Sequence, residues 1–492
     1  MRLALSELAE KALALALGLF LLLALFRGGN TDAAITLALV GSLVVLAFTS
    51  LLALSRGRVN GTISSPAALL FVAALLMLLA VGAVALVPVS TQSWLALPGR
   101  QAYSHLVALL GESDFGLQQL PLSIDAAGTR RALLALAPCI AISIAVPLLS
   151  RRHLLRLLGA FVVLAAAEAL LGLFQLGFRG ASMLVLEYAG HNRASGTFVN
   201  KNHYATLLAM ALPLLIFRAT GQFSFFSHRH EASALTNVWW GVVAAFVAAA
   251  LVASLSRAGV LAGGIVAVIA LALCPLREHL RSRQVLFTVL ALVALAVALA
   301  AMTGLGSLIR SVTQGGLGDG ASNRTLMNAH TWSGIVAFFP FGAGLGSYTV
   351  AFQRFQTPSL LGFVEYAHND YLQLLFETGL VGVVILILLA LAAIVTGRTL
   401  WRDYDKRQRL SPAVACYLGA LAFAIHAWFD FPAHIPAIAI IATLLFSASM
   451  NPALIAVGQR RSTEKTFAET PLLYRRAHKR ALPTMRSSTV AD

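Results

Sequence analysis

The sequence predicts an all-α, polytopic membrane protein with about 12 transmembrane helices and a large outer loop that carries short amphipathic helices. Three observations predict it. Of the 492 residues 59% are hydrophobic and 11% charged, and mean hydropathy is +0.81, whereas soluble domains carry about a quarter charged residues. Apolar runs of spanning length use most of the chain and leave no room for a soluble domain of ordinary size. The basic residues are sorted by membrane side.

In chain order the runs fall at about 12–26, 33–54, 66–90, 131–149, 153–178, 203–218, 236–255, 258–275, 285–304, 371–397, 411–429 and 434–456. The first is read as a retained helix, because no small-residue cleavage site follows LFRGGNTD and another span starts almost at once. With the N-terminus inside, 25 of the 36 Lys and Arg fall on inner loops and the tail, and 11 fall outside although the outer loops are longer. This obeys the positive-inside rule and puts both termini in the cytoplasm. The formal charge of +16 is therefore topological and not a nucleic-acid signal. Residues 1–456 read as one transmembrane domain. Residues 457–492 read as a disordered basic tail, in which Arg475, Arg476, Lys479 and Arg480 suit anionic membrane lipids. Cys139, Cys274 and Cys416 lie in or beside apolar stretches, which argues against a disulfide framework or a Cys-ligated metal.

Two outer loops are long, about 91–130 and 305–370. The second sets QGGLGDG and FGAGLGSY around the amphipathic stretch NRTLMNAHTWSGIVAFF, and reads as a folded lid on the membrane surface. The chemistry-bearing residues cluster on the same side. Arg193, Arg257, Arg324 and Arg354 stand in HNRASGTFVNKNHYA, SLSRAG, ASNRTLMNAH and FQRF. A lone arginine at a helix end is more readily a snorkelling anchor than a ligand for phosphate or carboxylate. Arg193 is different, because Asn200, Lys201, Asn202 and His203 crowd beside it like an anion cradle. In EYAHNDYLQLLFETGLVG, Asn369 or Asp370 can cap a helix, and His368 then sits at its positive end, where a neutral imidazole is a competent base. Tyr366 or Asn369 could orient the ring; Glu365, Asp370 and His330 are rival bases. Asp430, in IHAWFDFPAHIPA, either orients an arginine or caps a hairpin. Glu168 and Gln175 share one face of a spanning helix, where a carboxyl is functional or partnered. There is no row of intramembrane acids, no GxxxxGKS and no HExxH, which weakens transporter, ATPase and zinc-protease readings.

At these residues the chain resembles the O-antigen ligase and polymerase family of bacterial envelope glycan enzymes, over about residues 120–440. His368 and Asn369, nine residues, Gly379, two residues and Gly382 follow the ligase-type pattern. PLSIDAAGTR, RASGTFVNKNHYA, SLSRAG and DFPAHIP resemble the family in the same order. The resemblance implies an inverting transferase in the inner membrane, working at the periplasmic face. Its donor would be an undecaprenyl-pyrophosphate-linked glycan, its acceptor a glycan, lipid A core or a protein. By position, Arg193 and Arg324 would hold the pyrophosphate with Arg257, His368 would activate the acceptor hydroxyl, and Asn200, Asn202, Asn369, Tyr366 and Asp430 would line the site. Lys201 stands where many relatives have proline, and the resemblance gives it no role. No DxD-type acidic cluster appears in the outer loops, so the reading has neither metal nor cofactor. A polymerase of carrier-linked repeat units is the alternative, and a transporter or flippase of the same lipid-linked sugars ranks below both.

Overall fold

The computed structural model describes residues 2–25, 32–56, 65–111, 118–177, 193–226, 234–274, 319–360, 362–407 and 410–455. The expected span at 285–304, the first part of the large loop and the basic tail lie outside the described residues. Thirteen long helices are labelled in chain order: α1 (Arg2–Ala24), α2 (Asp32–Arg56), α3 (Pro66–Ala85), α4 (Ala126–Ala145), α5 (Arg151–Gly177), α6 (Lys201–Ala219) and α7 (Ala234–Ala253), then α8 (Arg257–Leu273), α9 (Asp319–Phe338), α10 (Asp370–Thr378), α11 (Leu380–Arg407), α12 (Pro412–His426) and α13 (Pro436–Ser449). Helices stand at every predicted run that the described residues cover. Six segments within them are long and apolar enough to cross a membrane, and α8, α12 and α13 are shorter apolar helices. Leu43, Leu54, Val84, Leu391 and Ile394 are exposed. A protein that kept such faces in water would expose far more apolar surface than soluble chains tolerate, so these faces meet lipid.

Local chemistry starts the helices where they start. Asp125 accepts from the Gly128 amide at 2.9 Å to open α4, and Asn200 accepts from the Asn202 amide at 2.9 Å to open α6. Ser256 accepts from the Gly259 amide at 3.2 Å to open α8, and proline stands in the first turn of α3, α12 and α13. The single span expected at 371–397 is broken. Gly379 adopts φ +56°, α10 stops there, and α11 restarts with the Leu380 amide bonded to the Pro340 carbonyl at 2.8 Å. A Cβ on Gly379 would run into that same carbonyl. The long loop expected at 91–130 holds structure that the hydropathy pattern does not show. Pro88–Ser90 pairs antiparallel with Gln119–Pro121, and short helices occupy Thr91–Leu95 and Ser104–Gly111.

The core is built around α6, whose side chains from His203 to Leu215 are all buried among α5, α7, α8, α12 and α13. Hydrogen bonds between helix ends fix an alternating course. At one end Glu10 accepts from the Ser150 amide at 2.7 Å, Asn451 donates to the Val146 carbonyl at 3.0 Å, and Arg218 donates to Asn237 at 2.7 Å. At the other end the starts of α4, α6, α8, α10 and α13 come together with the segment 340–348, and that end carries the unusual residues.

Candidate active site

His368 sits in the turn before α10 with φ +50°, a left-handed conformation that costs a non-glycine residue energy and needs support from its surroundings. The support is visible. Asn369 caps α10, accepting from the amides of Tyr371 and Leu372 at 3.1 Å each. The His368 ring lies edge-on to Phe431 with centroids 4.8 Å apart. Its Nδ1 is 3.0 Å from Asp430 Oδ1. Among the described residues no hydrogen bond reaches Nε2, and the side chain is 30% exposed. The pair therefore has the form of a carboxylate that orients an imidazole so that its other nitrogen can take a proton. Asn369 serves as the cap, and Tyr366 stacks on Phe431 at 4.2 Å, so the group bonded to the imidazole is Asp430.

Asp430 stands in the turn after α12 and is almost fully buried. Burial pushes its carboxyl up, but the hydrogen bond from His368 and the neighbouring His203 and Arg324 outweigh that and hold it well below the usual carboxylate range. Oδ1 also accepts from the Phe431 amide at 3.0 Å, while Oδ2 is buried without a hydrogen-bond partner and faces Arg324 Nη2 at 3.8 Å. Asp430 thus braces the turn through the Phe431 amide and lies beside Arg324 without a hydrogen bond to it.

The cations converge from four segments. Arg193, Arg257 and Arg324 all lie within electrostatic reach of Lys201, the first residue of α6. The stretch after Arg193 is pinned by the two polar residues of α5. Glu168 accepts from the Thr197 amide at 2.9 Å and hydroxyl at 2.7 Å, and Gln175 brackets Gly196 through its carbonyl at 2.7 Å and its amide at 3.1 Å. The intramembrane carboxyl is therefore a partnered anchor for the cradle. Asn200 caps α6, and Asn202 is half-buried beside it.

Other motif residues brace the site. Asp370 is buried with both oxygens engaged, by the Ala433 amide at 2.9 Å and by His434 Nδ1 at 2.8 Å, and its own amide bonds to the Ala427 carbonyl at 2.9 Å. That places it as a clamp between the His368 turn and the Asp430 turn. Gln373 extends the clamp: it accepts from the Ala367 amide at 3.0 Å and reaches His434 at 3.0 Å and Glu377 at 3.1 Å. Glu377 then accepts from the Gly346 amide at 2.7 Å, tying FGAGLGSY down onto α10. PLSIDAAGTR secures the same segment from behind, where Thr129 donates to the Leu345 carbonyl at 2.6 Å. Arg354 donates to the Gly99 carbonyl at 2.7 Å, and His330 lies 3.4 Å from Thr357. Gln373, Glu377 and His434 escaped the sequence reading, although all three lie inside the quoted motifs. Nothing in their spacing shows that α10 and the Asp430 turn pack together. Among the described residues no group of three or more His, Cys, Asp and Glu side chains is arranged to hold a metal ion.

Residues 242–387 match the family model described as O-antigen ligase, which supports an O-antigen ligase-like family for this membrane protein. The match contains Arg257, Arg324, His368, Gly379 and Gly382, and the site is completed by Arg193, Lys201 and Asp430 from outside it. No curated protein matches the chain.

Proposed function

We propose that the protein is an inverting, metal-independent glycan transferase of the O-antigen ligase type, taking its saccharide from undecaprenyl pyrophosphate at the periplasmic face of the inner membrane. The observation that carries the reading is the His368–Asp430 pair, with Nε2 unbonded among the described residues and Arg324 3.8 Å from the same buried carboxylate, beside the cations that act on Lys201. The acceptor hydroxyl gives its proton to Nε2 as its oxygen attacks the anomeric carbon. Asp430 stabilises the imidazolium that forms. The bond from the anomeric carbon to the pyrophosphate oxygen breaks, its electron pair leaves on the phosphate, and Arg193, Arg257 and Arg324 meet that charge. One attack from the face opposite the leaving group inverts the configuration. The positive-inside count supports a periplasmic site, because it puts the converging helix ends outside.

The test uses purified protein and a lipid-linked donor. His368→Ala is expected to bind donor normally and to turn over about 100- to 10,000-fold more slowly, as for loss of a general base. EDTA should change neither protein. Normal turnover by His368→Ala, or loss of wild-type activity with EDTA, overturns the reading. In cells, a deletion strain that accumulates unattached long chains points to a ligase, and one that carries single repeat units points to a polymerase.

A further inference from the structure

Lys201 occupies a place in the site that neither the motif pattern nor the family match assigns. Its Nζ donates to the Leu255 carbonyl at 2.8 Å. Leu255 itself has φ +55°, in the turn between the end of α7 and the Ser256 cap of α8. The same turn gathers other cations: the Ala194 amide, next to Arg193, bonds the Ala253 carbonyl at 3.0 Å, and Arg257 follows Leu255 by two residues. Arg193 comes from the turn before α6, Arg257 from the first residue of α8 and Arg324 from α9, and the anion facing them is Asp430 from the turn after α12. Four cations against one carboxylate repel one another, and of the four only Arg257 is exposed, the others being half-buried. Such an arrangement is stable when a polyanion joins it. His203, two residues further along α6, is buried with a ring nitrogen that has no hydrogen-bond partner, and buried Asp430 Oδ2 has no hydrogen bond, only the approach of Arg324 at 3.8 Å.

We infer that Lys201 is a fourth phosphate-binding cation of this site, holding Leu255 with one N–H and offering its remaining N–H bonds to the pyrophosphate group of the donor. This rests on the transferase reading above. Lys201 also differs from its three neighbours in being able to lose its charge. Burial, first, and then the charges of Arg193, Arg257 and Arg324 lower its ammonium to about 8, with Asp430 opposing. Lys201 is therefore charged below about pH 8 and loses its charge above it, so its contribution to anion binding fades as pH rises through that value. The arginines keep theirs.

The probe is a short-chain prenyl diphosphate binding to the full-length protein in detergent, measured for wild type, Lys201→Met, Lys201→Arg and Arg324→Gln between pH 6.5 and 9.5. Lys201→Met should bind about ten- to a hundred-fold more weakly at pH 7, the usual effect of losing a hydrogen bond to a charged group. Wild type should weaken toward Lys201→Met as pH passes 8. Lys201→Arg should keep its affinity over that range, and the probe's own titration is common to all four. If wild type binds the probe and Arg324→Gln does not, while Lys201→Met binds like wild type, Lys201 is a strut between α6 and the Leu255 turn, and this inference alone falls. If wild type binds no diphosphate probe, the transferase reading falls with it.

Discussion

Asp430→Asn separates charge from shape at the centre of the site. The amide can still accept the hydrogen bond that His368 Nδ1 makes at 3.0 Å, so the ring need not move. What is lost is the negative charge beside the imidazolium that forms when Nε2 takes the acceptor's proton. Two unit charges about 4 Å apart at an effective dielectric of about 20 attract by about 4 kcal/mol. The His368 side chain is 30% exposed, and solvent screening trims that figure to about 2–4 kcal/mol. A barrier raised by that amount slows transfer about 30- to 1000-fold. Binding should move in the opposite direction. Asp430 Oδ2 faces Arg324 at 3.8 Å, and neutralising it frees that cation for the donor. The assay is single-turnover transfer by purified protein, run beside equilibrium binding of a prenyl diphosphate. Slower transfer with equal or tighter binding is the expected result, and a misfolded site cannot produce it. Transfer within threefold of wild type would refute the pairing of Asp430 with His368 as the base, and weakened binding would refute the charge argument.

Three further outcomes are expected. Arg324→Lys keeps the charge but loses the planar fork, and should slow transfer about 100- to 1000-fold while the protein still folds; near-normal transfer would make Arg324 an interfacial anchor. Gly379→Ala should cost at least about 2 kcal/mol, because its φ of +56° disfavours a side chain and its Cβ meets the Pro340 carbonyl. Gly382→Ala should cost less than Gly379→Ala, since its backbone is ordinary helix and its Cβ meets the Thr378 hydroxyl, whose displacement costs the bond to the Leu374 carbonyl; thermal unfolding in detergent measures both, and equal losses would refute the distinction. In intact spheroplasts an impermeant thiol reagent should label Asp319→Cys and spare Asp405→Cys, against a low background because Cys139, Cys274 and Cys416 are buried; the reverse pattern would invert the topology.

The helical membrane architecture was legible because bilayer crossing leaves a signal in every residue of a run, whatever its neighbours in space. The break at Gly379 was not, since α10 and α11 together are as apolar as one helix, and only the contact with Pro340 shows why the chain must bend. Arg193, Arg257, Arg324 and His368 were legible as unusual residues near helix starts. Their convergence was not, because it depends on how α6, α8, α9 and α10 pack. The same holds for Asp430, whose partner His368 lies 62 residues away. Glu168 illustrates the reverse: its chemistry was plain in sequence, but only the fold shows that its acceptor capacity is spent on Thr197.

Phe431 has a consequence for how this sequence can change over time. Its ring is stacked on Tyr366 at 4.2 Å and touched edge-on by His203 and His368, each at 4.8 Å. Three side chains from two segments far apart in the chain therefore share one neighbour. A substitution that reshapes that ring alters the fit of all three at once, so the effect of changing position 203 will depend on what stands at 366, 368 and 431. These four positions should vary as a set among descendants of this protein, and a double-mutant cycle between His203 and His368 should show coupling that disappears in a Phe431→Leu background.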